Sequence, residues 1–87
     1  MIKSIALNKL VPSPRNVRRR HDEAADAELK ASIAARGLLQ NLVVRAGKKG
    51  QYEVEAGERR RRALNALATE KIIPRYMPIT CLVLDGD

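Results

Sequence analysis

The chain has 87 residues, enough for one small domain with a modest core. Its 17 Lys and Arg against 10 Asp and Glu give a formal charge of +7, which points to a polyanion or a phosphorylated ligand. A lone cysteine, Cys81, excludes an internal disulfide and a multi-cysteine zinc site, and no apolar run approaches the roughly 20 residues of a membrane span.

In chain order, MIKSIALNKL has no long apolar stretch of the signal-peptide kind. Ile5 and Leu7 share one face of a short strand over Ser4 to Leu10. VPSPRNVRRR follows, and two prolines two residues apart dictate an extended loop. Asp22 suits the N-cap of a helix over AADAELKASIAARG, with Ala25, Leu29 and Ile33 repeating every fourth residue while Asp26, Lys30 and Arg36 fall elsewhere. Gly37 then takes the left-handed position past the helix end, and Leu38 folds back over the last turn. Leu42 to Arg45 and Gln51 to Glu55 read as two strands joined by the hairpin loop Ala46-Gly47-Lys48-Lys49-Gly50. A second helix opens near Gly57-Glu58, carries Ala63, Leu64 and Leu67 on its apolar side, and frays around Glu70-Lys71. Pro74 and Pro78 bound a connection to a buried final strand over Ile79 to Leu84. The expected order is β-loop-α-β-β-α-β, a small α/β domain over residues 1–87. Its core is aliphatic, because Tyr52 and Tyr76 are the only aromatics. Its predicted compartment is a reducing cytoplasm, and the ending at LVLDGD suggests a piece of a longer protein.

The second helix opens with AGERRRRAL. Four consecutive arginines, Arg59 to Arg62, occupy the end of the helix where cations are disfavoured by about 0.3–1 kcal/mol each. At about 100° per residue, Arg60 lies on the apolar stripe one turn before Leu64, with its stem toward the core and its guanidinium at the rim; Arg59 flanks that rim. Arg61 and Arg62 fall elsewhere and read as a charged face with intrahelical pairs, Arg62 pointing away from the core. Gly57 permits close approach of a ligand to the unpaired N–H groups of the helix start. Glu58 suits the dipole and is placed to pair with an arginine or contact a metal ion. Donors, dipole and guanidiniums together make a phosphate site of Gly57, Glu58, Arg59 and Arg60.

Two other stretches are candidates. In GLLQNLVV, Gly37 ends a helix and Gln40 stands at a strand entrance within reach of a ligand; the alternative is a capping glycine and a surface glutamine. In RNVRRR, Arg18, Arg19 and Arg20 sit in a proline-bounded loop and, with Lys48 and Lys49 of the hairpin, are either a DNA-backbone surface or solvated charge.

These segments, in this order, resemble the N-terminal domain of ParB-type partition proteins, which has the ParB/sulfiredoxin-like fold. LVPSPRNVR resembles the family's opening loop with its Asn-x-Arg, here Asn16 and Arg18; GLLQ resembles its Gly-x-x-Gln; AGERRRRAL resembles its Gly-Glu-Arg-Arg box. The resemblance implies CTP binding with Mg²⁺ and slow CTP hydrolysis, and closure of two protomers into a clamp on DNA. It also implies contact with a ParA-type ATPase. Gly37, Gln40, Gly57, Glu58, Arg59 and Arg60 would then contact the nucleotide and its metal, the latter through Glu58, and Arg18 would be a switch or phosphate-side residue. The family's Glu-Asn-x-x-Arg-like segment and its DNA-reading helix-turn-helix are not within these 87 residues, so weak or no nucleotide binding, weak or absent hydrolysis and no site-specific DNA reading are expected of this stretch. Asn41 stands where the family usually has proline.

Other classes fit less well. Sulfiredoxins, of the same fold, use a cysteine at the glycine-rich helix start, where this chain has Glu58-Arg59. A small-molecule kinase of the same fold would still need the triphosphate pocket. A nucleotide-independent basic module on the DNA backbone would weaken steeply with salt, and the near absence of aromatics argues against stacking on single strands. His21, Asp22 and Glu23 are too local for a two-metal nuclease.

Overall fold

The computed structural model describes residues 1–14 and 23–84. Five strands form one mixed sheet: β1 (Ile2–Ala6), β2 (Leu10–Pro12), β3 (Leu42–Ala46), β4 (Tyr52–Ala56) and β5 (Pro78–Leu84), in the spatial order β1-β5-β3-β4-β2. Two helices, α1 (Glu23–Arg36) and α2 (Glu58–Thr69), cover the face that carries Leu42, Val44, Val54, Ile79 and Cys81. The predicted α/β class and the helix and hairpin positions stand. Alternation sets the sheet's inner face: Ile79 and Cys81 are buried while Pro78 and Thr80 are exposed, as a strand period of two requires. From the helices, Ile33, Leu64 and Leu67 close the core.

The first strand differs from expectation. Ser4 to Leu10 is not one strand: β1 ends at Ala6, a 3-10 turn spans Leu7–Lys9, and β2 begins at Leu10. β1 pairs antiparallel with β5 at one edge of the sheet, and β2 pairs parallel with β4 at the other. Leu7 is 1% exposed and its N–H donates to the Met77 carbonyl at 2.9 Å, so this side chain plugs the core where the chain changes edge. Periodicity places Ile5 and Leu7 on the inside, and both are buried, but it carries no information about a change of edge.

Gly37 terminates α1 with φ +81°, and its N–H donates to the Ile33 carbonyl at 2.8 Å. That is the left-handed helix end expected of glycine, and Leu38 packs back on the core. In the β3–β4 hairpin, Val43 faces Ala56 and Val44 faces Val54, so Glu55 is an extra residue, a bulge just before α2. Ser13, 4% exposed, donates from Oγ to Glu55 Oε2 at 3.0 Å and fixes the end of β2 to this bulge.

Cys81 is fully buried on β5, and burial pushes its thiol up to about 11 from 9.0. The folded value is the higher one, so the neutral thiol's contribution is complete below pH 9 and is lost as pH climbs toward 11. Wild-type unfolding free energy is therefore expected to fall more steeply between pH 9 and 11 than that of Cys81→Ala, as read from urea melts. Parallel pH profiles for the two chains would contradict this. The native thiol is likewise expected to resist a disulfide reagent at pH 8 until denaturant exposes it.

Candidate functional site: the start of α2

The path of the chain into α2 is set by Gly57, which adopts φ +100° and ψ 21°. A Cβ built there would meet Leu42 Cδ2 at 2.4 Å and Leu42 Cα at 3.7 Å. Among the described residues no side chain caps the helix, whose first intrahelical bond runs from the Arg61 N–H to the Gly57 carbonyl at 2.9 Å. The N–H groups of the first turn therefore face outward at the positive end of the dipole. The closeness to Leu42 has a second consequence. Gln40 is two residues before Leu42, so the turn after α1 ends beside the start of α2.

A cleft of about 270 Å³ opens at this point, lined by Leu29 of α1 and by Gly57, Glu58, Arg59 and Arg60. The four residues singled out from the sequence thus come together, joined by a leucine that helical periodicity had assigned only to packing. Gly37 and Gln40 are not in this lining. Gly37 borders a separate cleft of about 240 Å³ that runs past Asn41, Leu64 and Met77, and Gln40 is exposed. Lys48 and Lys49 are exposed at the hairpin tip. Arg18, Arg19, Arg20, Asn16 and the Asp22 cap lie outside the described residues.

The four arginines have separate fates. Arg61 donates from Nε and Nη2 to the two oxygens of Glu58, each at 2.7 Å. The pair is an i, i+3 contact only 13% and 11% exposed. Arg59 donates from Nε to Asp26 Oδ1 at 3.1 Å, and Arg62 from Nη2 to Asp26 Oδ2 at 3.1 Å. Arg60 is half-buried, lines the cleft, and has no hydrogen-bond or ion-pair partner among the described residues. The intrahelical pair expected on the outer face exists for Arg61. Arg62 is different: it reaches across to α1 instead of into solvent. Arg62 points away from the sheet, and α1 packs on that flank of α2.

The signal missed in the sequence is Asp26. It stands off the apolar stripe of α1, where an acid in the first turn is ordinary, and only the α1–α2 contact reveals that it holds two arginines. Each oxygen of Glu58 already accepts one bond from Arg61, so an Mg²⁺ at Glu58 would share its carboxylate with that guanidinium or displace it. Among the described residues there is also no group of three or more His, Cys, Asp or Glu able to hold a metal. Nor is any described helix long and apolar enough to cross a membrane.

Known proteins share this frame. The ParB N-terminal domain family matches residues 1–85. Stage 0 sporulation protein J of Bacillus subtilis is 45% identical over 62 residues, covering 71% of this chain and 22% of that protein. The ParB chromosome-partitioning protein of Caulobacter crescentus, C-terminally truncated and complexed with CTP-gamma-S, superposes with a TM-score of 0.79 at 28% identity, covering 100% of this chain and 46% of that one. Arabidopsis thaliana sulfiredoxin superposes with a TM-score of 0.71 at 27% identity, over 99% of this chain and 86% of that one. The chain spans between 13% and 25% of the length of such curated relatives. Sequence match and fold agree: the chain belongs to the ParB N-terminal domain family.

Proposed function

We propose that the cleft at the start of α2 binds the triphosphate of a nucleoside, CTP by likeness to the Caulobacter ParB complexed with CTP-gamma-S. The observation that carries this reading is Arg60: a half-buried arginine, without a partner among the described residues, that lines a cleft beside a helix start with no side-chain cap bond. An anion there gains backbone donors, the dipole and a charge-assisted bond together. Gly57 and Arg59 flank the phosphates. Glu58 serves chiefly to hold Arg61, and Mg²⁺ arrives on the triphosphate's own oxygens.

Gly37 and Gln40 lie outside that lining, and a nucleotide extending past Leu42 would meet their turn and tie the end of α1 to the start of α2. In the larger protein this tie biases the domain toward pairing with a second copy around DNA, within a segregation system driven by a ParA-type ATPase. Arg18, Arg19 and Arg20, with Lys48 and Lys49, are assigned to the DNA backbone in that assembly. The test is calorimetric titration with CTP, ATP, GTP and UTP, each with and without Mg²⁺. CTP is expected to bind tightest and Mg²⁺ to strengthen it. Equal binding of all four, or none, rejects the assignment.

The likeness to sulfiredoxin gives thiol chemistry no support here. The cleft holds Glu58 and Arg59, and Cys81 is buried on β5 with its thiol pushed up to about 11. A kinase of this fold shares the triphosphate pocket, and phosphoryl transfer to a small acceptor would distinguish it.

A further inference from the structure

Asp26 does more than join two helices. It lies one turn before Leu29 on α1, and Leu29 lines the cleft. Its two oxygens accept from Arg59 Nε and Arg62 Nη2, both at 3.1 Å. A carboxylate that engages guanidiniums with both oxygens makes the same kind of contact as a phosphate. Arg59 itself lines the cleft, so the acid holds one donor edge of a residue that faces the ligand.

We infer that Asp26 is an internal competitor for the ligand's phosphates: it occupies Arg59 in the empty domain and surrenders it when a triphosphate enters. The inference rests on the triphosphate reading of the cleft and adds a regulating residue to it. Arg60, without a partner among the described residues, makes the first contact. The Nε edge of Arg59 follows as its bond to Asp26 opens. Because that bond connects α1 to α2, the exchange transmits occupancy of the cleft to the packing of α1. Arg62 keeps hold of Asp26 on the outer side and gives the displaced carboxylate a resting place. Two cations share one anion, so the cluster keeps net positive charge throughout. The negative charge of Asp26 also repels an incoming triphosphate at short range.

A purely structural Asp26 and a competing Asp26 predict opposite results. If Asp26 only braced Arg59 toward the ligand, its neutralisation would weaken binding. As a competitor, its neutralisation frees Arg59 and removes the repulsion. Asp26→Asn and Asp26→Ala are therefore expected to bind CTP with Mg²⁺ about three- to tenfold more tightly than wild type, the scale of one partly exposed unit charge. Inorganic tripolyphosphate, which has no base or sugar, should show the same gain.

Glu70→Gln is the control. It breaks the Lys30–Glu70 pair, a second ionic link between α1 and the end of α2 that lies away from the cleft lining. It should leave the CTP affinity unchanged, whereas a gain equal to that of Asp26→Asn would mean that loosened helices, not a freed arginine, are responsible. Thermal melts report whether each variant folds. Wild-type binding with unchanged or weaker binding in Asp26→Asn overturns the competitor and leaves the cleft assignment standing. No binding of CTP or tripolyphosphate by wild type and both Asp26 variants overturns the cleft assignment, and the competitor with it.

Discussion

Gly57→Ala is expected to lower the melting temperature of this domain on the order of 10–20 °C and to abolish ligand binding at the start of α2. Two costs add. Alanine at φ +100° enters a left-handed region that costs an L-residue roughly 1–2 kcal/mol. Its Cβ would also stand 2.4 Å from Leu42 Cδ2, a contact no packed core accepts. Leu42 is fully buried at the start of β3, opposite Cys81 of β5, so it has nowhere to swing. Overpacking of this kind costs about 1–3 kcal/mol. The sum, roughly 2–4 kcal/mol, is a large share of the 5–15 kcal/mol that holds small domains folded. A shortened neighbour separates the two costs: Leu42→Val in the Gly57→Ala background should recover the steric part and leave the backbone part. A melting temperature within 2 °C of wild type for Gly57→Ala alone would mean that α2 starts by another route.

That one glycine shows how far the sequence could be read. Gly37 and Gly57 announce themselves as punctuation, one closing a helix and one opening the next, and both adopt positive φ. The apolar stripe of α2 and the alternation of β4 and β5 follow from local spacing alone, and the buried Leu64, Leu67, Val54 and Ile79 agree with it. What local spacing cannot carry is which flank of α2 another helix will cover. Arg62 and Asp26 are 36 residues apart, and nothing periodic links them. The same limit hid the edge change between β1 and β2, which depends on Leu7 meeting the Met77 segment near the other end of the chain. Neighbours on one element were legible; partners on two elements were not. The cleft fell between these cases. Its glycine, acid and arginines are contiguous in sequence, while Leu29 and the competing Asp26 arrive from α1.

Arg60→Ala is expected to weaken triphosphate binding by more than tenfold and to leave the empty domain as stable as before, or slightly more so. The first effect follows from losing a charge-assisted hydrogen bond, worth about 1.5–3 kcal/mol, when about 1.4 kcal/mol is a factor of ten. The second follows from the free state. Arg60 has no partner among the described residues, so truncation breaks no bond there. It also removes a cation from the positive end of α2, which relieves about 0.3–1 kcal/mol and offsets the packing lost with the side-chain stem. Arg62→Ala should show the reverse balance, a loss of stability with little loss of affinity. It breaks the contact with Asp26 at 3.1 Å and so loosens α1 from α2, yet it removes no cleft-lining group. A drop in affinity of no more than about two- to threefold is expected, because Asp26 then turns wholly to Arg59 and holds it more firmly against the ligand. Calorimetry paired with thermal melts on the two variants reads both axes at once. Equal losses of affinity would show that net charge, not position, governs the site; a destabilised Arg60→Ala would show that its guanidinium holds the fold together. Either result would leave the four arginines without the division of labour that their separate partners imply. One arginine waits for the ligand, one is lent to Asp26, one is locked to Glu58, and one keeps the carboxylate from leaving.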